Sequence, residues 1–200
     1  MTEDTGNSRR RRFLTALTSI VGLAGAGTLV AAFVASMRPS ARARAMGAPV
    51  EADISRLQEG QMMVVEWRGK PVWIIRRSEQ MLDELGRLRD VLADPDSEIR
   101  QQPVYAQNEF RSIRPDILII LGVCTHLGCA PTKKFERGVA SGISQDWPGG
   151  FFCPCHGSTF DLAGRVYKNV PAPTNLEVPP HSFLSDSRIL IGTSRKKETV

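Results

Sequence analysis

The sequence has few aromatic residues, few histidines and, over most of its length, no excess of charge of either sign. Aromatic residues make up 6% of the 200 residues, and there are three histidines. With 42% hydrophobic and 24% charged residues, 17 glycines and 13 prolines, the composition excludes collagen-like, coiled-coil and wholly disordered chains. The length favours one domain with accessory segments over a multi-domain enzyme.

The net charge of +5 lies entirely in the first 48 residues. That segment contains seven arginines and two acidic residues, whereas residues 49–200 contain 19 basic and 19 acidic residues. A nucleic-acid-binding protein is expected to cluster its basic residues on the face of the binding domain. The charge distribution therefore predicts that this protein has no nucleic-acid partner.

The chain has one long apolar run, which covers residues 13–37 and contains no charged residue. A helix of this length reaches about 37 Å, because each residue rises ~1.5 Å. That is enough to cross a hydrocarbon core of ~30 Å. A cleavable signal peptide is the alternative, but its apolar part is typically only about 7 to 15 residues long. We therefore predict a single transmembrane helix over residues 13–37, in contact with the lipid bilayer.

Four consecutive arginines occupy positions 9–12 and are followed by Phe13 and Leu14. This pattern resembles a twin-arginine export signal. Basic residues also collect on the cytoplasmic side of anchored proteins in general, so the pattern is not specific by itself. Residues 1–12 are accordingly predicted to be a cytoplasmic basic tail with a twin-arginine-like signal.

Residues 38–49 have no apolar periodicity and are interrupted by Pro39, Gly47 and Pro49. The segment predicts a flexible hinge between the membrane span and a folded head. Fully extended, a dozen residues reach at most about 40 Å.

Residues 50–200 predict a small, mostly β domain. Short runs rich in β-branched and aromatic residues indicate strands at 50–55, 62–67, 72–76, 117–123, 151–153, 182–185 and 188–192. Between them, apolar residues at three- and four-residue steps indicate one amphipathic helix that is capped by Ser78 and ends before Pro95. Proline and glycine about every ten residues favour an antiparallel sandwich or barrel.

All four cysteines and two of the three histidines lie between residues 124 and 156. They form two segments, CTHLGC at 124–129 and CPCH at 153–156. Each segment has one cysteine and one histidine at close spacing, and each has one further cysteine. Chance clustering of this kind is improbable, so the sequence predicts a metal centre.

Three metal centres are compatible with these six side chains. Structural zinc takes four ligands, commonly from paired cysteines. An all-cysteine iron–sulfur cluster is the second option, but it leaves both histidines unused. The third is a [2Fe–2S] cluster in which two histidines replace two cysteines on one iron, and it uses the symmetry of the two segments.

In the third arrangement, Cys124 and Cys153 bind one iron, and His126 and His156 bind the other. The remaining pair, Cys129 and Cys155, can then form a disulfide that joins the two loops. A disulfide is expected outside the cytoplasm, which agrees with an export signal.

The segments CTHLGC and CPCHGS, with DLAGR and VPAPTNL downstream, closely resemble the Rieske iron–sulfur subunit of cytochrome bc complexes. The resemblance covers essentially the whole chain. Rieske ferredoxins and ring-hydroxylating oxygenases typically lack the second cysteine of each segment. The resemblance implies a Rieske-type antiparallel head with an inserted cluster-binding subdomain at about 117–175, holding one [2Fe–2S] cluster.

The family function implied by the resemblance is electron transfer from quinol to a c-type cytochrome. The partners would be a cytochrome b subunit, a c-type cytochrome subunit and quinol, within a dimeric complex. The protein would lie in a bacterial inner membrane as a single-pass protein, with its head on the periplasmic side. In the family, the histidine that matches His156 is the hydrogen-bond partner of quinol, and Leu127 matches a residue that contacts the quinone pocket.

Four further positions acquire roles from the resemblance. Ser158 matches a serine that donates a hydrogen bond to a bridging sulfide. Phe160 stands where many high-potential members have a tyrosine that bonds a cysteine sulfur, which implies a lower reduction potential here. Pro171 and Pro173 match a proline loop that covers the cluster.

Two other functions are compatible with the sequence. One is the Rieske subunit of another exported oxidoreductase, such as arsenite oxidase. The other is a zinc-stabilised anchor protein without enzymatic function. His181 lies outside both segments and is interpreted as an ordinary surface or strand histidine.

Overall fold

The computed structural model describes residues 4–194 of the chain. Its first element, α1 (Asp4–Ser36), is a 33-residue helix that includes residues 4–12 of the basic tail as well as most of the apolar run. The part from Asn7 to Ser36 is long and apolar enough to cross a membrane. The hydroxyls of Thr15, Thr18, Thr28 and Ser36 donate hydrogen bonds to backbone carbonyls three or four residues earlier. These polar groups are therefore satisfied within the helix, as an apolar surrounding requires.

The predicted hinge contains a short helix, α2 (Ala41–Met46). This differs from the expectation of a segment without regular structure. The reason is local, because alanine and arginine are strong helix formers, and the hydroxyl of Ser40 accepts a hydrogen bond from Ala43 N–H at 3.1 Å. The chain divides into two compact units between Ala45 and Met46. The mobility of the hinge stays a prediction.

The head contains nine strands in three antiparallel sheets of three strands each, among residues 46–194. The strands are β1 (Val50–Asp53), β2 (Met62–Trp67), β3 (Lys70–Arg76), β4 (Ile117–Leu121), β5 (Thr132–Lys134), β6 (Gly150–Phe152), β7 (Thr159–Phe160), β8 (His181–Phe183) and β9 (Arg188–Ile191). The strand orders are β1-β9-β8, β2-β3-β4 and β5-β6-β7. The mostly β fold class is confirmed.

The middle sheet, β2-β3-β4, is packed on both of its faces. Trp73 and Ile75 of β3 belong to the core that the middle sheet shares with β5-β6-β7. Val72 and Ile74 belong to the core that it shares with β1-β9-β8. Alternate residues of a strand point to opposite faces, so both faces need apolar residues. This explains why β4 is apolar at every position and buried throughout.

The β2-β3 hairpin turns at Arg68 and Gly69, which have φ values of 53° and 71°. Two successive positive φ values form the type of tight turn that matches the twist of antiparallel strands. The register pairs Trp67 with Lys70. The predicted turn at 68–70 is confirmed.

The amphipathic helix α3 (Glu79–Arg87) begins as predicted, since the Ser78 side chain accepts a hydrogen bond from Met81 N–H. It ends earlier than the apolar pattern suggests, in a 3₁₀ turn at Arg89–Val91. Leu92 is extended and forms an isolated β-bridge with Tyr167. Pairing with a distant segment therefore overrides the helical pattern, which a local pattern cannot show. The buried Leu85 packs α3 against Leu162.

Three buried arginines, Arg77, Arg111 and Arg165, form hydrogen bonds between the segment that contains α3 and the turn after β7. Arg77 donates a hydrogen bond to the carbonyl of Leu162, and Arg111 donates to those of Ala163 and Gly164. Burial lowers the pKa of Arg77 to about 9 and that of Arg111 to about 10, against the raising effect of Asp161. Both stay protonated at neutral pH.

Asp161 is the buried anion of this region. Its carboxylate accepts hydrogen bonds from the backbone N–H groups of Ala163 and Arg165 and from Arg165 Nε at 2.7 Å. The Asp161–Arg165 pair has no exposed side-chain surface. Removing one partner of such a pair leaves an uncompensated buried charge.

We predict that Asp161→Ala lowers the free energy of unfolding by about 3 to 5 kcal/mol, because Arg165 stays buried without its counter-ion. Urea unfolding of the detergent-solubilised full chain, followed by circular dichroism, measures the change. The matched control is Asp96→Ala, which breaks the exposed Arg89–Asp96 pair and should leave the unfolding midpoint nearly unchanged. Equal shifts in the two variants would contradict this role for Asp161.

Candidate metal centre

The two cysteine–histidine segments form the same kind of tight turn. In the first, which lies between β4 and β5, Gly128 N–H donates to Cys124 O at 3.0 Å, and Cys124 N–H donates to Cys129 O at 2.8 Å. In the second, between β6 and β7, Gly157 N–H donates to Cys153 O at 2.9 Å, and Cys153 N–H donates to Ser158 O at 2.7 Å. Each turn thus fixes its first cysteine by two backbone hydrogen bonds.

A glycine in the left-handed region closes each turn. Gly128 has a φ of 82° and Gly157 a φ of 79°. Other residue types rarely adopt this conformation. The glycines at the fifth position of both segments therefore have the same structural cause, and the symmetry seen in the sequence is a symmetry of backbone geometry.

A disulfide between Cys129 and Cys155 joins the two turns, with a Cα–Cα distance of 6.6 Å. This confirms the predicted pairing. The sulfur of Cys153 lies within 4.8 Å of both disulfide sulfurs. Because the two disulfide sulfurs are bonded to each other, they are not free to act as thiolate ligands. The disulfide instead lies directly beside one of the predicted ligands.

The other two cysteines, Cys124 and Cys153, are free and buried. Burial raises the pKa of Cys124, and the neighbouring Cys153 thiol also raises it, although hydrogen bonds from the His126 backbone and the Ser158 hydroxyl lower it. Two buried thiolates side by side are unfavourable unless a cation lies between them. This donor pair therefore suits a bound iron.

The predicted histidine ligands lie beside each other. The ring centroids of His126 and His156 are 4.7 Å apart, with the rings nearly perpendicular at 89°. His126 Nδ1 is buried and has no hydrogen-bond partner among the described residues. A buried, unpaired ring nitrogen is costly unless it binds something. The structure thus places the two histidines side by side and the two free thiols side by side on the same pair of turns, and two thiols with two imidazoles fit a histidine-ligated iron–sulfur cluster.

The end of the head is exposed at the positions that were predicted to face partners. Leu127 has 72% of its surface exposed, and His156 is also exposed. Both side chains are therefore accessible at this end of the head. Their roles toward quinol stay predictions.

Ser158 and Phe160 lie on the inner side of the centre, and neither has any exposed surface. Ser158 Oγ accepts a hydrogen bond from Ala172 N–H at 3.0 Å. Phe160 belongs to the same core cluster as Cys124 and Cys153. Phe160 is therefore placed in the cysteine environment that the sequence resemblance indicated.

The segment with Pro171 and Pro173 lies next to the first turn. Both prolines are exposed, whereas Ala172 between them is 4% exposed. Thr125 Oγ1 donates a hydrogen bond to Thr174 O at 2.7 Å, which ties this segment to the ligand turn. Contacts at both Thr174 and Ala172 thus hold the proline segment, called the lid below, against the centre.

Sequence reasoning missed three residues of the site. Thr125 and Ala172 hold the lid, and Trp73 stacks on Phe151 at a ring distance of 5.1 Å in the core beneath the turns. The sequence feature that relates to Trp73 is the glycine at position 122. A Cβ atom at Gly122 would lie 2.2 Å from the Trp73 indole, so a larger residue would not fit there. No comparable signal existed for Ala172, because its contact is made by its backbone.

His181 lies outside the centre, as expected. It is buried on β8, its Nδ1 lies 2.8 Å from Pro179 O, and Tyr105 packs edge-on against its ring. Burial lowers the pKa of His181, although the Pro179 carbonyl opposes this. It is a strand histidine of the core and not a surface one.

The geometry agrees with what comparisons with known proteins show. Residues 48–180 match the family described as "Rieske [2Fe-2S] domain". The chain is 58% identical over 189 residues to a protein from Allochromatium vinosum named "Ubiquinol-cytochrome c reductase iron-sulfur subunit", covering 94% of this chain and 91% of the relative. The chain belongs to the Rieske iron–sulfur subunit family of ubiquinol–cytochrome c reductase. A Rieske protein of the same name from Blastochloris viridis is 41% identical, with 94% and 96% coverage.

The N-terminal segment matches a family of its own. Residues 1–40 match a model described as "Ubiquitinol-cytochrome C reductase Fe-S subunit TAT signal". Among solved structures, one chain titled "Hyperthermophilic respiratory Complex III" aligns over 88% of this chain and 97% of its own length, with a TM-score of 0.47 and 26% identity. The signal match confirms the twin-arginine interpretation of positions 9–12.

Membership of the Rieske family decides between the three metal centres left open by the sequence. The cofactor is a [2Fe–2S] cluster, so structural zinc and an all-cysteine cluster are both excluded. The names of the relatives favour a cytochrome bc complex over another exported oxidoreductase. The individual ligand assignments of Cys124, His126, Cys153 and His156 stay predictions that the geometry supports.

We predict that Phe160→Tyr raises the midpoint potential of the Rieske cluster, because a tyrosine hydroxyl in this position adds a hydrogen bond to sulfur. Redox titration of the purified protein measures the change. Phe183→Tyr is the matched control, since Phe183 packs in the core on the other side of the middle sheet and should leave the potential unchanged. An unchanged or lower potential for Phe160→Tyr would show that no such bond forms.

Proposed function

We propose that this Rieske protein is the mobile electron carrier of a membrane-bound quinol:cytochrome c oxidoreductase. It takes one electron from quinol and passes it to a c-type cytochrome. This electron transfer contributes to the proton-motive force. One observation carries the proposal: two equivalent turns, locked together by a disulfide, bring two free thiols and two imidazoles to one exposed end of the head. The family names add a cytochrome b and a cytochrome c₁ subunit as partners.

The cluster, when bound, accepts and releases one electron. Cys124 and Cys153 would hold it on the buried side, and His126 and His156 on the side nearer the surface. Neutral imidazoles leave the centre less negative than four thiolates would, which favours the reduced state and raises the potential. The choice of ligand types therefore suits an electron acceptor for quinol.

His156 is the group that we assign to quinol. It is exposed, so its ring can accept a hydrogen bond from a quinol hydroxyl and afterwards release the proton to water. Leu127, on the facing turn, supplies apolar surface to a quinone pocket. His156 thus couples the acceptance of an electron to the acceptance of a proton at one end of the head.

The proposed location is a bacterial inner membrane, with α1 as the single anchor and the head on the periplasmic side. The disulfide supports this side, because cytosolic thiols are kept reduced. The twin-arginine signal predicts the same compartment. We propose further that α1 contacts the lipid bilayer and that the complex is a dimer.

The test is purification of the full chain from membranes of its host. Electron paramagnetic resonance should show a histidine-ligated [2Fe–2S] cluster, and a di-heme cytochrome b should co-purify. Co-purification with a different oxidoreductase and without cytochrome b would overturn the proposed partner, while a zinc-containing protein without the iron signal would overturn the redox function.

We predict that a rigid proline-rich stretch in place of residues 41–45 slows the reduction of cytochrome c by the intact complex and leaves the cluster spectrum unchanged. The head must change position to meet two partners, and a stiff segment restricts this movement. A glycine–serine stretch of the same length is the control, since it stays flexible and should keep the turnover near that of the natural sequence. Unchanged turnover with the rigid stretch would exclude a moving head.

A further inference from the structure

The lid contacts the centre through a backbone group. Ala172 N–H donates a hydrogen bond to Ser158 Oγ at 3.0 Å, across 14 positions of sequence. Both residues are buried, with 4% and 0% of their surface exposed. The lid therefore reaches Ser158, whose hydroxyl also meets the thiol of Cys124.

A serine hydroxyl has one hydrogen to donate and two lone pairs that accept. Ala172 N–H occupies a lone pair, so the Ser158 hydrogen has to point away from Ala172. The backbone of Ser158 is fixed in turn, because its carbonyl accepts from Cys153 N–H at 2.7 Å. With the backbone fixed and one lone pair in use, the hydroxyl is left to donate toward the sulfur side of the centre.

We propose that Ala172 is a positioning residue: its backbone N–H orients the Ser158 hydroxyl toward the sulfur atoms of the centre, so that the lid helps to set the reduction potential. The inference rests on the proposed function, since it assumes that the centre holds the redox-active cluster. A hydrogen bond to sulfur stabilises the more negative, reduced state and raises the potential. If the lid moves away, Ser158 loses its orientation and the potential falls.

The position of the prolines connects this device to docking. Pro171 and Pro173 are exposed on either side of Ala172, and Thr125 holds the next residue of the lid at Thr174 O. A partner that contacts the exposed prolines would therefore act on the same segment that holds Ala172 N–H against Ser158. Contact with a partner and the electron affinity of the centre would then be linked through one hydrogen bond.

Ala172→Pro tests the inference, because proline lacks the N–H donor. Proline also fixes φ and adds a ring at this buried position, so the variant is first checked for the iron signal. Ala172→Gly is the matched control that keeps the donor. Both changes are made in the natural chain and in Ser158→Ala, and the midpoint potential of the full-length protein is measured by redox titration.

Ala172→Pro is expected to lower the equilibrium constant for reduction of the cluster about tenfold. For a one-electron couple, this corresponds to a midpoint potential that is lower by about 59 mV. Ala172→Gly should keep the natural value. Ser158→Ala alone should also lower the potential, and in that background Ala172→Pro should cause no further decrease, as expected for residues that act through one another.

An equal decrease in both backgrounds, or none in the natural chain, would overturn the role of Ala172. A natural potential for Ser158→Ala alone would instead contradict the hydrogen bond from Ser158, and loss of the iron signal in the natural chain would contradict the proposed function. If Ala172→Pro does not load the cluster, a backbone ester at residue 172 removes the same N–H without adding volume. A natural potential for the ester would likewise overturn the inference.

Discussion

Two pairs of backbone hydrogen bonds, one in each turn, set the geometry on which the whole metal centre depends. They give the turns the same shape, so that Cys124 and Cys153 lie at equivalent positions and the disulfide can join the turns face to face. The turns need a left-handed backbone conformation at Gly128 and Gly157, which glycine adopts without steric cost. Without this shared shape, two thiols and two imidazoles that are about thirty positions apart in sequence would have no common centre.

The rest of the head supports the turns from below and from the side. The middle sheet is apolar on both faces, so it can carry the turns on one face while it packs against β1-β9-β8 on the other. Arg77 and Arg111 bind the carbonyl oxygens of the turn that follows β7. These buried cations are compensated by few anions, chiefly Asp161, and so depend on backbone oxygens for much of their solvation. The cluster-binding subdomain is thus fixed to a well-packed base, while Leu127 and His156 at its end are exposed.

The sequence predicted the parts of this structure that follow from local pattern or from side-chain chemistry. The strand at Met62–Trp67, the Ser78 cap and the disulfide between Cys129 and Cys155 are all confirmed. Strands β5 and β7 were missed, because β5 is the polar run Thr-Lys-Lys and β7 has only two residues, so neither shows an apolar alternation. The helical turn in the hinge was missed because apolar periodicity was the signal sought, whereas its alanines and arginines favour a helix by intrinsic propensity.

Most of the contacts that escaped prediction share one physical property, which is that a backbone group provides one or both partners. Ala172 acts through its N–H, and Thr125 and the buried arginines act on carbonyl oxygens. Backbone groups are the same at every position, so residue identity alone cannot show which of them will meet. The ligands of a cluster are side chains, so they can be recognised in the sequence. The electronic environment of the cluster also depends on N–H and O–H groups that only the fold brings close to it. For this reason, a residue with an ordinary side chain, such as Ala172, can act on the functional centre through its backbone.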